Sequence, residues 1–273
     1  MKQTFPTPGP TSLFVEIGAG LVRVRATGTT ETEVVVEGRD AEDVTVEQRG
    51  SQIVVVAPRR RVGFFGSGED LTVTVTLPTD SDLTTRRGSA DLDAEGPFGG
   101  ARLKSGSGDV RVETLAADAV VHAGSGDVEV GSSLGDLRVK TGSGSVQLGR
   151  VTGSSVIVSG SGRITVDTAE GATVAKTGSG DVRIGEVSSD VSISSGSGDL
   201  EVGRARRGVV KAKTASGDVR VGVPEGIPVW TDVSCVTGSL RSDLAGAGRP
   251  EEGQDYIEIR ATTVSGDIGL TQL

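Results

Sequence analysis

The sequence predicts an all-β fold, a single-stranded β-solenoid of stacked coils of about 18 residues with two strands each. Three observations predict it: a fixed 18-residue repeat, alternating strand patterns within the repeat, and a composition rich in glycine but poor in aromatics. Glycine supplies 42 of the 273 residues, whereas Phe, Trp and Tyr together make up 3%. A narrow core of stacked aliphatic side chains is consistent with so few aromatic residues.

The repeat is marked by a Gly-Ser pair that recurs every 18 residues without slippage. A fixed period without insertions indicates equivalent units that stack on one another. After one extra residue the pattern returns as ASGDV, and a weaker VSGDI lies near the end of the chain. The glycines of the strict repeat are Gly88, Gly106, Gly124, Gly142, Gly160, Gly178 and Gly196.

Two strands are predicted in each coil. Alternating runs such as DVRVE follow each Gly-Ser pair, and a second run such as AVVHA begins nine residues later, which leaves no room for a helix. The register places Val110 and Val128 inside and Arg111 and Glu129 outside, so we expect opposite charges on neighbouring coils to pair.

We expect one β-solenoid domain over residues 1–273. Two segments call for separate interpretation. The loop PRRRVGFFGSGED (58–70) either plugs the core edge with its Phe residues or binds a partner, and AGAGRPEEGQ (245–254) is expected to be mobile. Trp230 and Cys235 are expected to pack within the C-terminal end. The predicted parts are a flexible tail (1–10), irregular N-terminal coils (11–85), regular repeats (86–222) and an atypical C-terminal β cap (223–273).

Composition and charge exclude several classes of function. The formal net charge of −9 argues against general nucleic-acid binding, which needs clustered positive charge. The single cysteine excludes an intramolecular disulfide. The sequence shows neither a signal peptide nor an apolar run of transmembrane length, so we expect a cytoplasmic protein without direct membrane insertion.

The Gly-Ser-Gly-Asp motif has three possible readings: a calcium loop, a phosphate loop or a structural corner. No helix follows it to direct an N-terminus at a phosphate. Calcium needs several oxygen ligands per ion, and Ser145 and Arg163 interrupt the Asp column. We therefore expect a structural corner, no cofactor and no metal, with calcium the alternative. The column reads Asp91, Asp109, Asp127, Ser145, Arg163, Asp181, Asp199 and Asp218.

A basic stripe on the outward positions of the second strands is the candidate partner-binding site. Its cations surround outward valines, an arrangement that suits a protein partner or an acidic polymer. The alternative is an ordinary solvated face, on which the only histidine, His122, also lies. The candidate residues are Arg102, Lys104, Arg138, Lys140, Val156, Val158, Val174, Lys176, Lys211 and Lys213.

No nucleophile–base pair stands out, so we expect a non-enzymatic protein with no catalytic residues. The alternative, a polysaccharide-active β-helix enzyme, would need spaced carboxylates and aromatic platforms, and the coils hold almost no aromatic residues. A further alternative is an adhesin-like or envelope-stress-associated module. Recovery from a native cell fraction would separate that role from a cytoplasmic interaction scaffold.

Four motifs carry a resemblance to a known family: the Gly-Ser-Gly-Asp-Val-x-Val repeats, FVEIGAGLVRVRA, LTVTVTLP and VSGDIGL. Together they resemble the bacterial putative-adhesin β-strand-repeat family, also called toastrack, a domain of unknown function. The resemblance implies a β-solenoid and supplies no catalytic residues. Some members are joined to membrane segments in envelope-stress systems, whereas this chain is more similar to the soluble actinobacterial members.

Overall fold

The structure is a computed structural model and describes residues 1–58, 71–244 and 256–273. The predicted loop over 58–70, apart from Pro58, and the predicted loop over 245–254 therefore lie outside the described residues. The described residues form β strands and a single 3₁₀ turn, Ala41–Asp43, with no α-helix. They divide into two compact units, Met1–Gly135 (unit 1) and Asp136–Leu273 (unit 2), and the expected single domain stays a prediction.

Unit 1 consists of two sheets. Its first sheet has the strand order β1-β4-β7-β3-β9-β11-β13, and its second sheet has the order β5-β6-β2-β8-β10-β12. The strands are β1 (Lys2–Pro6), β2 (Ser12–Ile17), β3 (Leu21–Thr27), β4 (Glu31–Glu37), β5 (Thr45–Arg49), β6 (Gln52–Val56), β7 (Thr72–Pro78), β8 (Asp82–Arg87), β9 (Asp91–Phe98), β10 (Ala101–Ser105), β11 (Val110–Leu115), β12 (Ala119–Ala123) and β13 (Val128–Ser133).

The N-terminal part of unit 1 is irregular, as the loss of the 18-residue period predicts. The expectation of a flexible tail over residues 1–10 is wrong for Lys2–Pro6, which pair antiparallel with β4 as β1. Antiparallel pairing also joins β4 to β7 and β5 to β6, whereas the other strand pairs of this unit run parallel. The backbone groups of the tail are satisfied by this pairing, and this explains its order.

Unit 2 also consists of two sheets, in which all strand pairs are parallel. The first sheet has the order β15-β17-β19-β21-β23-β27-β25, and the second has the order β14-β16-β18-β20-β22-β26-β24. The strands are β14 (Leu137–Thr141), β15 (Val146–Val151), β16 (Ser155–Ser159), β17 (Ile164–Ala169), β18 (Thr173–Thr177), β19 (Val182–Val187), β20 (Val191–Ser197), β21 (Leu200–Ala205), β22 (Gly208–Ser216), β23 (Val219–Val223), β24 (Val229–Thr237), β25 (Leu240–Ser242), β26 (Ile257–Ser265) and β27 (Ile268–Gln272).

The predicted register is confirmed in both units. Val110 and Val128 are buried and are paired neighbours, and Val182 and Leu200 repeat the arrangement in unit 2. Each buried aliphatic side chain contributes about 1.5–3 kcal/mol, and neighbouring coils share the burial. One aromatic residue departs from the expected aliphatic core, because Phe98 at the end of β9 is fully buried.

The C-terminal strands of unit 2 form two further coils, and these coils stack in the reverse of their order along the chain. The coil of β26 and β27 stacks directly on β22 and β23, and the earlier coil of β24 and β25 stacks on β26 and β27. The end is thus atypical, as expected for a terminal coil.

The packing role predicted for Trp230 is wrong, because its side chain lies on the outward face and is 56% exposed. Cys235 is half-buried on the inward face.

Candidate functional site

At the corner motif, the backbones of neighbouring coils approach each other closely. A Cβ atom added to Gly124 would lie 2.3 Å from the carbonyl oxygen of Gly106, and one added to Gly126 would lie 2.2 Å from that of Gly108. None of these glycines has a positive φ, so a left-handed backbone conformation is not the reason for them. Backbone proximity therefore explains the recurring glycines in these coils.

The Asp side chains of the corner also have a structural role. The Asp199 amide donates to Oδ1 of Asp181, and the Asp218 amide donates to Oδ1 of Asp199, at 3.1 and 2.8 Å. This row of amide-to-carboxylate hydrogen bonds ends at Asp267, whose Oδ1 accepts the Ser239 amide at 2.8 Å. That hydrogen bond is the main cause of the lowered pKa of Asp267. Within the described residues, no cluster of three or more His, Cys, Asp or Glu side chains could hold a metal ion.

A ladder of buried hydroxyl groups, which the sequence argument missed, completes the corner. Oγ1 of Thr177 accepts the Gly180 amide at 3.1 Å and donates to the carbonyl oxygen of Gly162 at 3.2 Å. Ser159 and Ser195 occupy the equivalent positions in the neighbouring coils: Oγ of Ser159 accepts the Gly162 amide at 2.8 Å, and Oγ of Ser195 donates to the carbonyl oxygen of Gly180 at 2.9 Å. The sequence signal was present, since Ser or Thr usually precedes the first corner glycine.

One coil of unit 1 breaks this hydroxyl pattern with a buried cation. Arg87 is 6% exposed and donates from Nη1 to the carbonyl oxygens of Ala90 and Asp109. Burial lowers the pKa of Arg87 to about 10. Its Nη2 atom has no described hydrogen-bond partner. The geometry supports a structural role at the corner, because the two carbonyls belong to successive coils.

On the first sheet, outward cations pair with carboxylates across the coils, as predicted. Arg111 pairs with Glu129 in unit 1 at 3.3 Å. In unit 2, Arg183 pairs with Glu201 at 3.5 Å. Arg206 pairs with Glu186, and this bond lowers the pKa of Glu186. These exposed pairs contribute little to stability, because solvent screens their charges.

The second sheet of unit 1 holds the first two residues of the predicted stripe. Arg102 and Lys104 are exposed on β10, and Lys104 lies in register between Arg86 and His122. Arg86 also stacks over the Phe14 ring at 5.5 Å and lies 3.9 Å from Glu16. This small basic group is thus partly neutralised within its own sheet.

The second sheet of unit 2 brings the remaining predicted residues together on one surface, which we name the basic face. In register, Val158 lies between Lys140 and Lys176, and Val156 lies beside Arg138. Two serines of β20 separate this group from the lysines of β22. The basic face consists of Arg138, Lys140, Val156, Val158, Val174, Lys176, Lys211 and Lys213.

The cations of the basic face are exposed, and none forms an ion pair with a described residue. Nearby acids are engaged elsewhere: Asp190 accepts the Val209 amide, and Glu258 pairs with Arg260. The three valines are half-buried, so the apolar centre is less exposed than the sequence argument expected. Strands about 4.8 Å apart explain this, because branched side chains in register cover one another.

The fold and its corners define a class of protein, a β-repeat solenoid built from short stacked coils. The toastrack family model (DUF4097) matches residues 11–176 and 121–271. The chain therefore belongs to the toastrack family, a family of unknown function. Among curated proteins, none matches the sequence.

Three solved structures are similar to this chain at low identity. A putative adhesin from Bacteroides fragilis is 11% identical over 99% of this chain and 96% of that chain, with a TM-score of 0.43. A putative adhesin from Parabacteroides merdae is 10% identical over 99% and 95%, with a TM-score of 0.42. A putative lipid binding protein from Parabacteroides distasonis is 13% identical over 99% and 96%, with a TM-score of 0.40. These similarities are too low to assign a function.

In the described part of the chain, no helix is long and apolar enough to cross a membrane. The cytoplasmic location stays a prediction.

Proposed function

We propose that this toastrack protein is a non-enzymatic interaction scaffold whose basic face binds a protein partner through an acidic surface. One contrast carries the proposal: Arg150, Arg183 and Arg220 on the first sheet of unit 2 pair with carboxylates of neighbouring coils, whereas the cations of the basic face pair with no described carboxylate. The chain as a whole is acidic, with a net charge of −9. Cations that have no ion-pair partner among the described residues of an acidic protein are available to an acidic partner.

The arrangement of the basic face suits a protein surface. Val158 and its valine neighbours supply a half-buried apolar centre, and Lys140 and Lys176 lie on either side of it. Interfaces commonly combine an apolar centre with a charged rim, and complementary charge mainly raises the association rate and the specificity. The five cations project from β14, β18 and β22, every second strand of the same sheet, so an acidic segment that crosses these strands can contact several of them.

The non-enzymatic part of the proposal is supported by the chemistry of the surface. The one histidine, His122, is exposed on β12, and the described carboxylates at the corners accept backbone amides. Arg and Lys side chains on the basic face offer charge but no general base. A binding role uses these groups as they stand.

The test is capture of partners from native lysate by the tagged protein. The variant Lys140→Glu, Lys176→Glu, Lys213→Glu reverses the charge of the basic face. The matched control, Arg150→Glu, Arg183→Glu, Arg220→Glu, makes the same change in net charge on the first sheet. We expect a partner that is captured by the wild type and the control, is lost from the basic-face variant, and binds through a segment rich in Asp and Glu.

Circular dichroism and thermal unfolding of both variants establish that they fold. Equal capture by the wild type and a folded basic-face variant would overturn the proposal. Loss of capture in both variants to the same extent would also overturn it, because net charge and not the basic face would then govern binding.

A further inference from the structure

The last strand of the second sheet in unit 2, β24, is an open edge. Among the described strands, β26 pairs with it on one side and none pairs with it on the other. The Ile257 amide donates to the carbonyl of Pro228, so the even-numbered residues of β24 up to Ser234 bond to β26, whereas at the end of the strand the carbonyl of Thr237 accepts the Gly266 amide. The N–H and C=O groups of Val229, Thr231, Val233 and Cys235 therefore point away from the sheet, toward the position of a further strand.

Sheet edges in natural proteins usually carry charges, prolines or irregular pairing that prevent further strand addition. The outermost strands of unit 1 follow this rule: β1 contains Lys2 and Pro6, and β5 contains Glu47 and Arg49. In contrast, β24 spans nine residues with a single charge, Asp232. Within the described residues, β24 itself carries no proline and only this one charge to prevent further pairing.

Two large apolar side chains of this strand are exposed. Trp230 is 56% exposed and Val236 is 72% exposed, and both lie on the outward face. Arg260 lies over the Trp230 ring at 6.0 Å, so one face of the ring is occupied. On the inward face, Val229 and Val233 are only half-buried, although Ile257 and Ala261, their register partners, are fully buried.

The sequence of β24 allows two copies of the strand to pair with each other around Val233, with matching side chains opposite one another. Trp230 and Val236 stand three residues to either side of it, on the same face. In an antiparallel pair of two β24 strands centred on Val233, Trp230 of each copy would face Val236 of the other. Asp232 would face Ser234, so no like charges would meet. Val233 would meet its own counterpart, in a pair that exchanges both backbone hydrogen bonds.

We propose that a second copy of this chain pairs with β24 in antiparallel orientation about a two-fold axis at Val233, and that this pairing forms a dimer. The interface is isologous and closes after two copies, because each β24 has only one open side. It extends the second sheet from one copy into the other, and it covers the half-buried inward row. The basic face lies on other strands of the same sheet, so this inference does not depend on the proposed function.

The oligomeric state in solution tests this proposal. Sedimentation of the wild-type protein over a concentration series is expected to show a reversible dimer. Ser234→Asp places residue 234 of each copy opposite Asp232 of the other and so creates two like-charge pairs, and we expect a monomer. The matched control Ser125→Asp adds the same charge at an exposed serine of unit 1, and we expect it to dimerise like the wild type. A wild-type protein that is monomeric throughout, or a Ser234→Asp variant that dimerises normally, would overturn the proposal.

Cross-linking tests the register independently of affinity. In the proposed dimer, residue 231 of one copy is directly opposite Cys235 of the other, with Cα atoms about 5.5 Å apart in a hydrogen-bonded antiparallel pair. That separation is within the disulfide range of about 4.4–6.8 Å. Thr231→Cys is therefore expected to give a covalent dimer on mild oxidation, and loss of that dimer in Thr231→Cys, Cys235→Ser would identify the bond.

Ser234→Cys is the control for the cross-link, because residue 234 would be opposite Asp232. We expect it to give far less covalent dimer than Thr231→Cys. Equal cross-linking by both variants, or none by Thr231→Cys in a sample that sediments as a dimer, would overturn the pairing about Val233.

Discussion

The backbone amide of Asp127 donates a hydrogen bond of 2.9 Å to Oδ1 of Asp109, which stands 18 residues earlier in the chain. The Asp109 amide makes the same bond to Asp91 at 2.8 Å. Each corner carboxylate thus satisfies the amide of the next coil. This relationship explains why Asp recurs after the corner glycines, and it gives the motif a stabilising role.

The corner glycines are predicted to tolerate no side chain. In Gly124→Ala, the new Cβ atom would lie 2.3 Å from the carbonyl oxygen of Gly106, and the coils would have to separate. We expect a loss of about 1–3 kcal/mol in the free energy of unfolding, measured by chemical denaturation. Gly28→Ala is the matched control, since no atom lies within 4 Å of its Cβ position. Similar losses in both variants would contradict close approach as the cause.

The hydroxyl ladder makes a second prediction. Thr177→Val keeps the shape of the side chain but leaves the Gly180 amide and the Gly162 carbonyl without that partner. Leaving buried polar groups unsatisfied costs about 1–3 kcal/mol, so we expect a clear fall in the melting temperature. Thr177→Ser retains the hydroxyl and is expected to remain closer to the wild type. A Thr177→Ser variant less stable than Thr177→Val would show that the methyl group matters more than the hydrogen bonds.

Asp267, the last carboxylate in the row of corner Asp residues, predicts that the stability of the fold depends on pH. The Ser239 amide lowers the pKa of Asp267 below its ordinary value of 3.8. Because the pKa is lower in the folded chain, ionised Asp267 stabilises the fold above its ordinary pKa, and this contribution is lost as the pH falls through the folded-state pKa. We expect the wild type to melt above Asp267→Asn at neutral pH. The difference should shrink as the pH falls below about 4. A difference independent of pH would contradict this role.

Much of the fold could be predicted because an 18-residue period fixes which residues face inward, and Val110 and Val182 are buried where the register places them. The reversed order of the C-terminal coils could not be predicted in this way. The segments around Val233 and Ala261 carry similar alternating patterns, so either coil could stack on β22 and β23. The choice between them depends on packing and on the path of the connection.

The sequence predicted the positions of the candidate-site residues better than it predicted the exposure of their side chains. Lys140 and Lys176 lie where the register places them, because outward positions follow directly from the strand alternation. The half-burial of Val158 depends on the shape of its neighbours, which the alternation does not describe. The open edge at β24 was missed for a related reason: a strand pattern shows that a segment pairs, but not on how many sides.

The basic face is the central functional claim, and photo-cross-linking from its apolar centre tests it most directly. A photoreactive residue replaces Val158, between Lys140 and Lys176, and the control replaces Thr165, which is half-buried on the outward side of the first sheet. We predict one specific adduct in native lysate from position 158, joined to an Asp- and Glu-rich segment, and none from position 165. No specific adduct from position 158, or the same adduct from both positions, would contradict the account.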